Sequence, residues 1–255
     1  MSSPISTPAE LSSSARRAAG RGWRVVEAQH KVSTAKLTDT TAEQRLLEGL
    51  IEESKPRIPQ ECAHLDFLLS TPFRYGAPYP QGSRFRKAGR TLGVFYASEQ
   101  VETAIAELCF WRLLFFAESP DTAWPSEAGE FTAFSFDYRT AHAIDLTCAP
   151  FDDRASSWQH PTRYDDCQDI ADMARQTGID VIKYASVRDP GHRLNLAILH
   201  CRAFVGAAPA DRQTWRILLG QNGARALCEM PNSALDFGRE AFLPDPRIAT
   251  LQWDR

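Results

Sequence analysis

Six side chains in this sequence combine reactive chemistry with a structured setting: Arg74, Arg84, Tyr96, Glu107, Ser186 and Arg188. They fall in four segments. Phe73-Arg74-Tyr75 is followed by Gly82-Ser-Arg84-Phe85, then by a strand–helix unit from Gly93 to Trp111 that carries Tyr96 and Glu107. The last is Ser186-Val-Arg188-Asp-Pro-Gly191. At about 100° per residue, Glu107 lies at the edge of its helix's apolar stripe, near Trp111, whereas Glu102 turns further toward solvent. A carboxylate at the rim of a buried face is costly unless it is paired. One reading is a structural ion pair with an arginine. The other is a cleft carboxylate, supported by the arginine-rich loop just upstream. For the last segment, Pro190 and Gly191 are turn formers, and a plain β-turn accounts for them. Ser, Arg and Asp clustered at the end of a buried strand also suit a site.

The elements that must position these residues are readable. Residues 1–20, rich in Ser and Ala, read as a mobile tail or frayed helix. Trp23-Arg-Val-Val-Glu27 reads as a short strand. Thr41-Ala-Glu-Gln44 has capping-box spacing, and Leu46, Leu47, Leu50 and Ile51 share one face of the helix that follows. That face is expected to pack on the parent domain, with Pro56 beyond its end. Residues 76–90 form a Gly/Pro/Arg loop. Gly93–Ala97 is a short buried strand. Ser98 is a good N-cap for a helix whose buried stripe is Val101, Ala104, Ile105, Leu108 and Trp111. In the second half, residues 130–137 and 143–146 read as two pairing strands, and residues 149–162 as a polar loop. A helix spans the 165–176 region and is ended by Gly178. Strands follow over 179–184 and 194–199, and a late hairpin joins 215–219 to 225–229. Strands outnumber helices and do not alternate with them, which favours an α+β fold. Three parts are expected: a tail over 1–20, an extension with the amphipathic helix over 21–61, and a catalytic domain over 62–255.

Composition removes several function classes. A net charge of −3 gives no broad basic field for nucleic acid, and Arg84-Phe-Arg-Lys87 is the one local basic candidate. The six cysteines form no C-x-x-C pair, and several lie in apolar segments. Buried, reduced thiols suit a cytoplasmic protein. The first residues have no apolar core of a signal peptide, and no run approaches the roughly 20 apolar residues of a membrane span. The six histidines lack metal-ligand spacing, so no metal is expected. There is no phosphate-loop, H-E-x-x-H or G-x-S-x-G motif.

The ordered set Thr71-Pro-Phe-Arg-Tyr, Gly82-Ser-Arg-Phe-Arg, Gly93-Val-Phe-Tyr-Ala-Ser-Glu and Thr103-Ala-Ile-Ala-Glu-Leu108 resembles the front half of a RES domain. Ser186-Val-Arg-Asp-Pro-Gly resembles its back half, so the likeness runs over about residues 62–205. One departure is that many members carry Gly-Gly-Arg-Trp-Asn where this chain has Gly82-Ser83-Arg84-Phe85-Arg86. The resemblance implies a compact mixed-sheet domain like the ADP-ribosyltransferase toxins, here with an N-terminal helical extension, and NAD as substrate. It also implies the toxin half of a bacterial toxin–antitoxin module with an Xre-type antitoxin as partner. The reaction implied is phosphorolysis or hydrolysis of NAD. The alternatives are transfer of ADP-ribose to a protein such as phosphoribosyl pyrophosphate synthetase, and a non-catalytic binding module of the same fold. By the same resemblance, Glu107 would stabilise the ribosyl cation, with Arg74 and Ser186 as catalytic partners. Arg74 and Arg84 would contact the diphosphate, for which planar, permanently charged donors suit, with Arg188 as a further candidate for a phosphate contact. Tyr96 would stack on the nicotinamide or ribose.

Overall fold

The computed structural model describes residues 7–28, 34, 37–75, 82–89 and 92–254. It confirms a mixed α+β architecture built on one sheet of eight strands in the order β1-β2-β5-β4-β3-β6-β7-β8. These are β1 (Arg16–Glu27), β2 (Phe95–Ser98), β3 (Gly129–Asp145), β4 (Val181–Ala185), β5 (Leu194–Ile198), β6 (Arg212–Gly220), β7 (Gly223–Cys228) and β8 (Ser233–Gly238). All described pairings are antiparallel except β3 with β4. An additional pairing of β1 with β3 closes the first five strands of that order into a ring.

β3 is the spine. The two strands expected over 130–137 and 143–146 are one continuous strand. Its first third lies between β1 and β6, and its end runs beside β4. Phe131, Phe134, Phe136 and Tyr138 are all buried, so both faces of the strand are covered. The burial explains why alternation of polar and apolar residues is lost along it.

The tail expected over 1–20 is corrected from Pro8 onward. Pro8–Ser13 forms α1, capped reciprocally by Thr7 and Glu10, and its Leu11 is fully buried. β1 begins at Arg16 and pairs with β3 along nearly its whole length. Gly20 and Gly22 lie where the Tyr138 and Phe136 rings cross this strand, and a Cβ at Gly22 would strike the Phe136 ring.

Three clusters build the core. α4 (Val101–Glu118) sends Ile105, Cys109, Phe110 and Leu113 onto Phe131, Trp215, Ile217 and Ala226. α6 (Asp165–Gln176) sets Cys167, Ile170, Ala171 and Ala174 against Ile144, Ile182, Ala197 and Leu11. It ends as expected at Gly178, which has a positive φ of 73°. α3 (Phe67–Arg74) packs Leu68, Leu69 and Phe73 on Phe95, Phe134, Phe136 and Leu196. Each Leu, Ile or Phe among them contributes about 1.5–3 kcal/mol by leaving water. The polar loop expected over 149–162 contains one short helix, α5 (Ala155–Trp158).

The amphipathic helix is present as α2 (Thr41–Ser54), capped one residue earlier than expected, by Thr40 and Glu43. Its apolar stripe does not pack on the domain. Leu46 and Leu50 are 64% and 55% exposed, and no residue of α2 is buried. Polar ties hold it instead, through Glu52. Among the described residues no helix is long and apolar enough to cross a membrane. All six cysteines are free, and every one except Cys148 is buried.

Candidate active site

α4 carries Glu107 to the place where β5 begins and β4 ends. The helix is apolar on most of its circumference, so its periodicity does not define one buried face. Trp111, expected in the buried stripe, is 48% exposed. Ser98 does not cap the helix. The N-cap is Gln100, and the Ser98 hydroxyl donates to Asn195 Oδ1 at 2.6 Å.

That bond orients Asn195, whose Nδ2 donates to Glu107 Oε1 at 2.6 Å. Ser186 Oγ donates to the same oxygen at 2.7 Å. Two neutral donors thus converge on one carboxylate oxygen. The other oxygen, Oε2, faces Arg188 Nη1 at 3.6 Å. The Glu107 side chain remains 20% exposed, so it is held but not sealed. Glu107 is thus both paired with an arginine and partly exposed.

The loop from Ser186 to Arg193 is a compact scaffold. Ser186 Oγ accepts from the backbone N–H groups of Arg188 (3.2 Å) and Asp189 (3.0 Å). Asp189 accepts from Thr103 Oγ1 on α4 (2.8 Å) and from both Nε and Nη2 of Arg193. Burial pushes the Asp189 carboxyl upward, but the bonds from Arg193, Thr103 and the Gly191 N–H outweigh it and hold it below the usual carboxylate value. His192, in the left-handed region at φ 47°, places Nδ1 3.1 Å from the Ser186 carbonyl oxygen. Strained backbone of this kind concentrates at functional sites.

Arg84 and Tyr96 form an adjoining cluster. Gly82 has φ 66°, and a Cβ there would strike the Arg86 carbonyl, so the turn from Ser83 to Arg86 needs glycine at its start. Tyr96 holds this turn, its hydroxyl bonded to Ser83 Oγ (2.8 Å) and accepting from the Phe85 N–H (2.9 Å). Burial raises the Tyr96 hydroxyl above its ordinary pKa, so it stays protonated. Arg84 is buried, and its Nη1 and Nη2 donate to the carbonyls of Trp158 (2.6 Å) and His160 (3.0 Å). Its guanidinium lies 4.9 Å from the centre of the Tyr164 ring. Tyr164 joins the two clusters, because Arg188 Nη2 donates to its hydroxyl at 3.0 Å. Tyr184 lies between them too. Burial drives its hydroxyl well above the usual value, and the Glu107 carboxylate adds to that.

The structure therefore brings Glu107, Ser186 and Arg188 into direct contact, with Arg84 and Tyr96 one residue removed. It does not bring Arg74 to them. Arg74 Nη1 pairs with Glu52 at 2.8 Å and its Nε donates to the Pro56 carbonyl at 2.7 Å, which ties α3 to α2. The basic candidate Arg84-Phe-Arg-Lys87 is not an open patch either, since Arg84 is buried and Lys87 pairs with Asp169 and Asp172. Sequence reasoning missed Asn195, Ser98, Tyr164 and Tyr184. The one available signal was a lone asparagine in the apolar run Leu194–Leu199. Among the described residues no His, Cys, Asp and Glu cluster is arranged to hold a metal ion.

The RES domain family profile matches residues 56–219. Among solved structures, the fold is similar to a chain of the M. tuberculosis MbcT–MbcA toxin–antitoxin complex. That match has 9% identity and a TM-score of 0.47, and covers 83% of this chain and 91% of that one. A search of curated proteins finds no match.

Proposed function

The chain belongs to the RES domain family, and on that premise we propose that it cleaves the nicotinamide–ribose bond of NAD. The observation that carries this reading is the doubly bonded Glu107 oxygen, fixed by Ser186 and Asn195 at a partly open site. Leaving of the nicotinamide builds positive charge on the ribose, as in glycoside hydrolysis. A preoriented carboxylate stabilises that charge without reorganising. Two donors on Oε1 leave Oε2 as the oxygen directed at the ribose. Arg188 Nη1, at 3.6 Å, is the cation nearest that oxygen among the described contacts.

The other residues act as a frame in this reading. Ser98 sets the rotamer of Asn195, and the Asp189–Thr103 bond fixes the Ser186 loop to α4. Tyr96 holds the Arg84 turn, and Arg84 holds the segment bearing Tyr164. We assign the chain the role of toxin in a toxin–antitoxin pair, with an Xre-type antitoxin as partner, on its family membership.

Purified protein incubated with NAD, with and without inorganic phosphate, tests the reading by separation of products. Free nicotinamide is the expected product, and its absence under both conditions would sink the proposal. The second product names the acceptor: ADP-ribose 1″-phosphate for phosphate, ADP-ribose for water, and label on a protein for transfer.

A further inference from the structure

Both arginines expected to hold the diphosphate are occupied elsewhere: Arg74 by Glu52, and Arg84 by two backbone carbonyls. Arg188 remains, and it is not alone. The segment after β8 crosses α4, burying Phe242, Ile248 and Leu251 against Ile105, Cys109, Phe110 and Leu113. It carries Arg247, which lies beyond the family-matched residues 56–219.

Arg247 and Arg188 converge. Their Nη2 atoms both lie 3.4 Å from one carbonyl oxygen, that of Pro161. Both guanidiniums sit over the same two rings, at 4.6 and 5.4 Å from Phe110 and 5.0 and 5.6 Å from Trp111. Arg188 is only 6% exposed, yet its Nε has no hydrogen-bond partner. Arg247 is held in place by Asp245, which accepts from its Nε at 2.9 Å and its Nη2 at 2.7 Å. Arg84, Arg188 and Arg247 thus surround Tyr164 and its neighbours with three positive charges, against Glu107 and Asp245. One positive charge is left over within a half-buried site. Converging guanidiniums of this kind are matched by a phosphoryl anion, which forked donors bind best.

We infer that Arg247, supplied by the C-terminal segment, forms with Arg188 the clamp that binds the diphosphate of the dinucleotide substrate. The inference rests on the NAD reading for its ligand, but its binding test does not need turnover. The C-terminal strands and the strap after them therefore complete the site as well as the core.

Titration calorimetry on the full chain would use ADP-ribose, inorganic pyrophosphate and inorganic phosphate as probes. Arg247→Gln should weaken ADP-ribose and pyrophosphate binding about tenfold or more, with a lowered Tm because the buried Asp245 loses its partner. Arg247→Lys keeps the charge and stem but loses the fork, and should give an intermediate loss. In NAD turnover the loss should fall on KM more than on kcat. Wild-type ADP-ribose affinity in Arg247→Gln overturns the inference. If that variant unfolds, wild-type affinity in Arg247→Lys overturns it equally. Loss of phosphate binding alone, with ADP-ribose unaffected, rejects the diphosphate assignment in favour of a free-phosphate site. A wild-type chain that binds ADP-ribose through Arg247 but releases no nicotinamide would instead refute the cleavage reading and leave the clamp standing.

Discussion

Replacing Ser186 with alanine removes three bonds from one buried oxygen. The hydroxyl donates to Glu107 Oε1 at 2.7 Å and accepts from the N–H groups of Arg188 and Asp189. A hydrogen bond to a charged partner contributes about 1.5–3 kcal/mol, and each buried amide left without an acceptor costs about 1–3 kcal/mol. The loop can relax a little, since Asp189 and Arg193 still tie it to α4 and to itself. A net loss of roughly 3–5 kcal/mol is expected, which a fold of about 5–15 kcal/mol survives. At about 2–4 °C per kcal/mol for a chain of this size, the Tm should fall by roughly 6–20 °C. Glu107 would keep only the Asn195 bond on Oε1, and its carboxylate would swing. Misplacement by about 1 Å lowers rates on the order of 100-fold. Thermal unfolding followed by circular dichroism, with nicotinamide release measured below both midpoints, reads the two effects separately. Asn195→Ala, alone and combined with Ser186→Ala, completes a cycle. Because both residues bond one oxygen, their effects should couple by about 0.5–3 kcal/mol. A Tm within about 2 °C of wild type together with wild-type turnover would refute the reasoning.

Other expectations follow from contacts elsewhere. Arg74→Ala should speed amide hydrogen exchange across α2, because the Glu52 and Pro56 ties are lost; unchanged protection of α2 together with lost turnover would return Arg74 to the site. Asp189 ionises more readily in the folded chain than in the unfolded one, so its contribution is complete above about pH 4 and is lost as pH falls through its lower folded value. Asp189→Asn should therefore flatten the acid side of the Tm–pH curve, and an unchanged acid slope would count against that tie. Leu50→Glu, on the exposed stripe of α2, should shift stability by no more than about 0.5 kcal/mol, and a larger loss in denaturant titration would mean the stripe is covered.

The sequence made some of this legible and hid the rest for identifiable reasons. α6 was readable because its amphipathic period is clean and Gly178 adopts the positive φ that ends it. β1 was not, because Arg16 to Gly22 has no alternation; pairing with β3 imposes the strand, and glycines make room for the Tyr138 and Phe136 rings. Context of this kind decides β structure more than propensity does. α4 is buried on several sides, so its pattern placed Trp111 inward, whereas its half-exposed indole lies beneath the guanidiniums of Arg188 and Arg247. The stripe on α2 was visible, but a stripe cannot say what covers it. Glu107, Ser186 and Arg188, which the structure brings into contact, lie in motifs whose order was visible in the sequence. Asn195 was hidden in an apolar strand, and Arg247 approaches from the far end of the chain, where neither spacing nor composition points to it.

In the proposed reaction, cleavage depends on the Glu107 carboxylate. Glu107→Gln keeps the shape and can keep the Ser186 and Asn195 donors through its amide oxygen, while removing the charge. Nicotinamide release by this variant, compared with wild type at matched Tm, tests the claim directly. A loss of at least about 100-fold is expected, with the Tm nearly unchanged. Wild-type release from a folded Glu107→Gln protein, or a collapse of its Tm that makes Glu107 a structural ion-pair partner only, would contradict it.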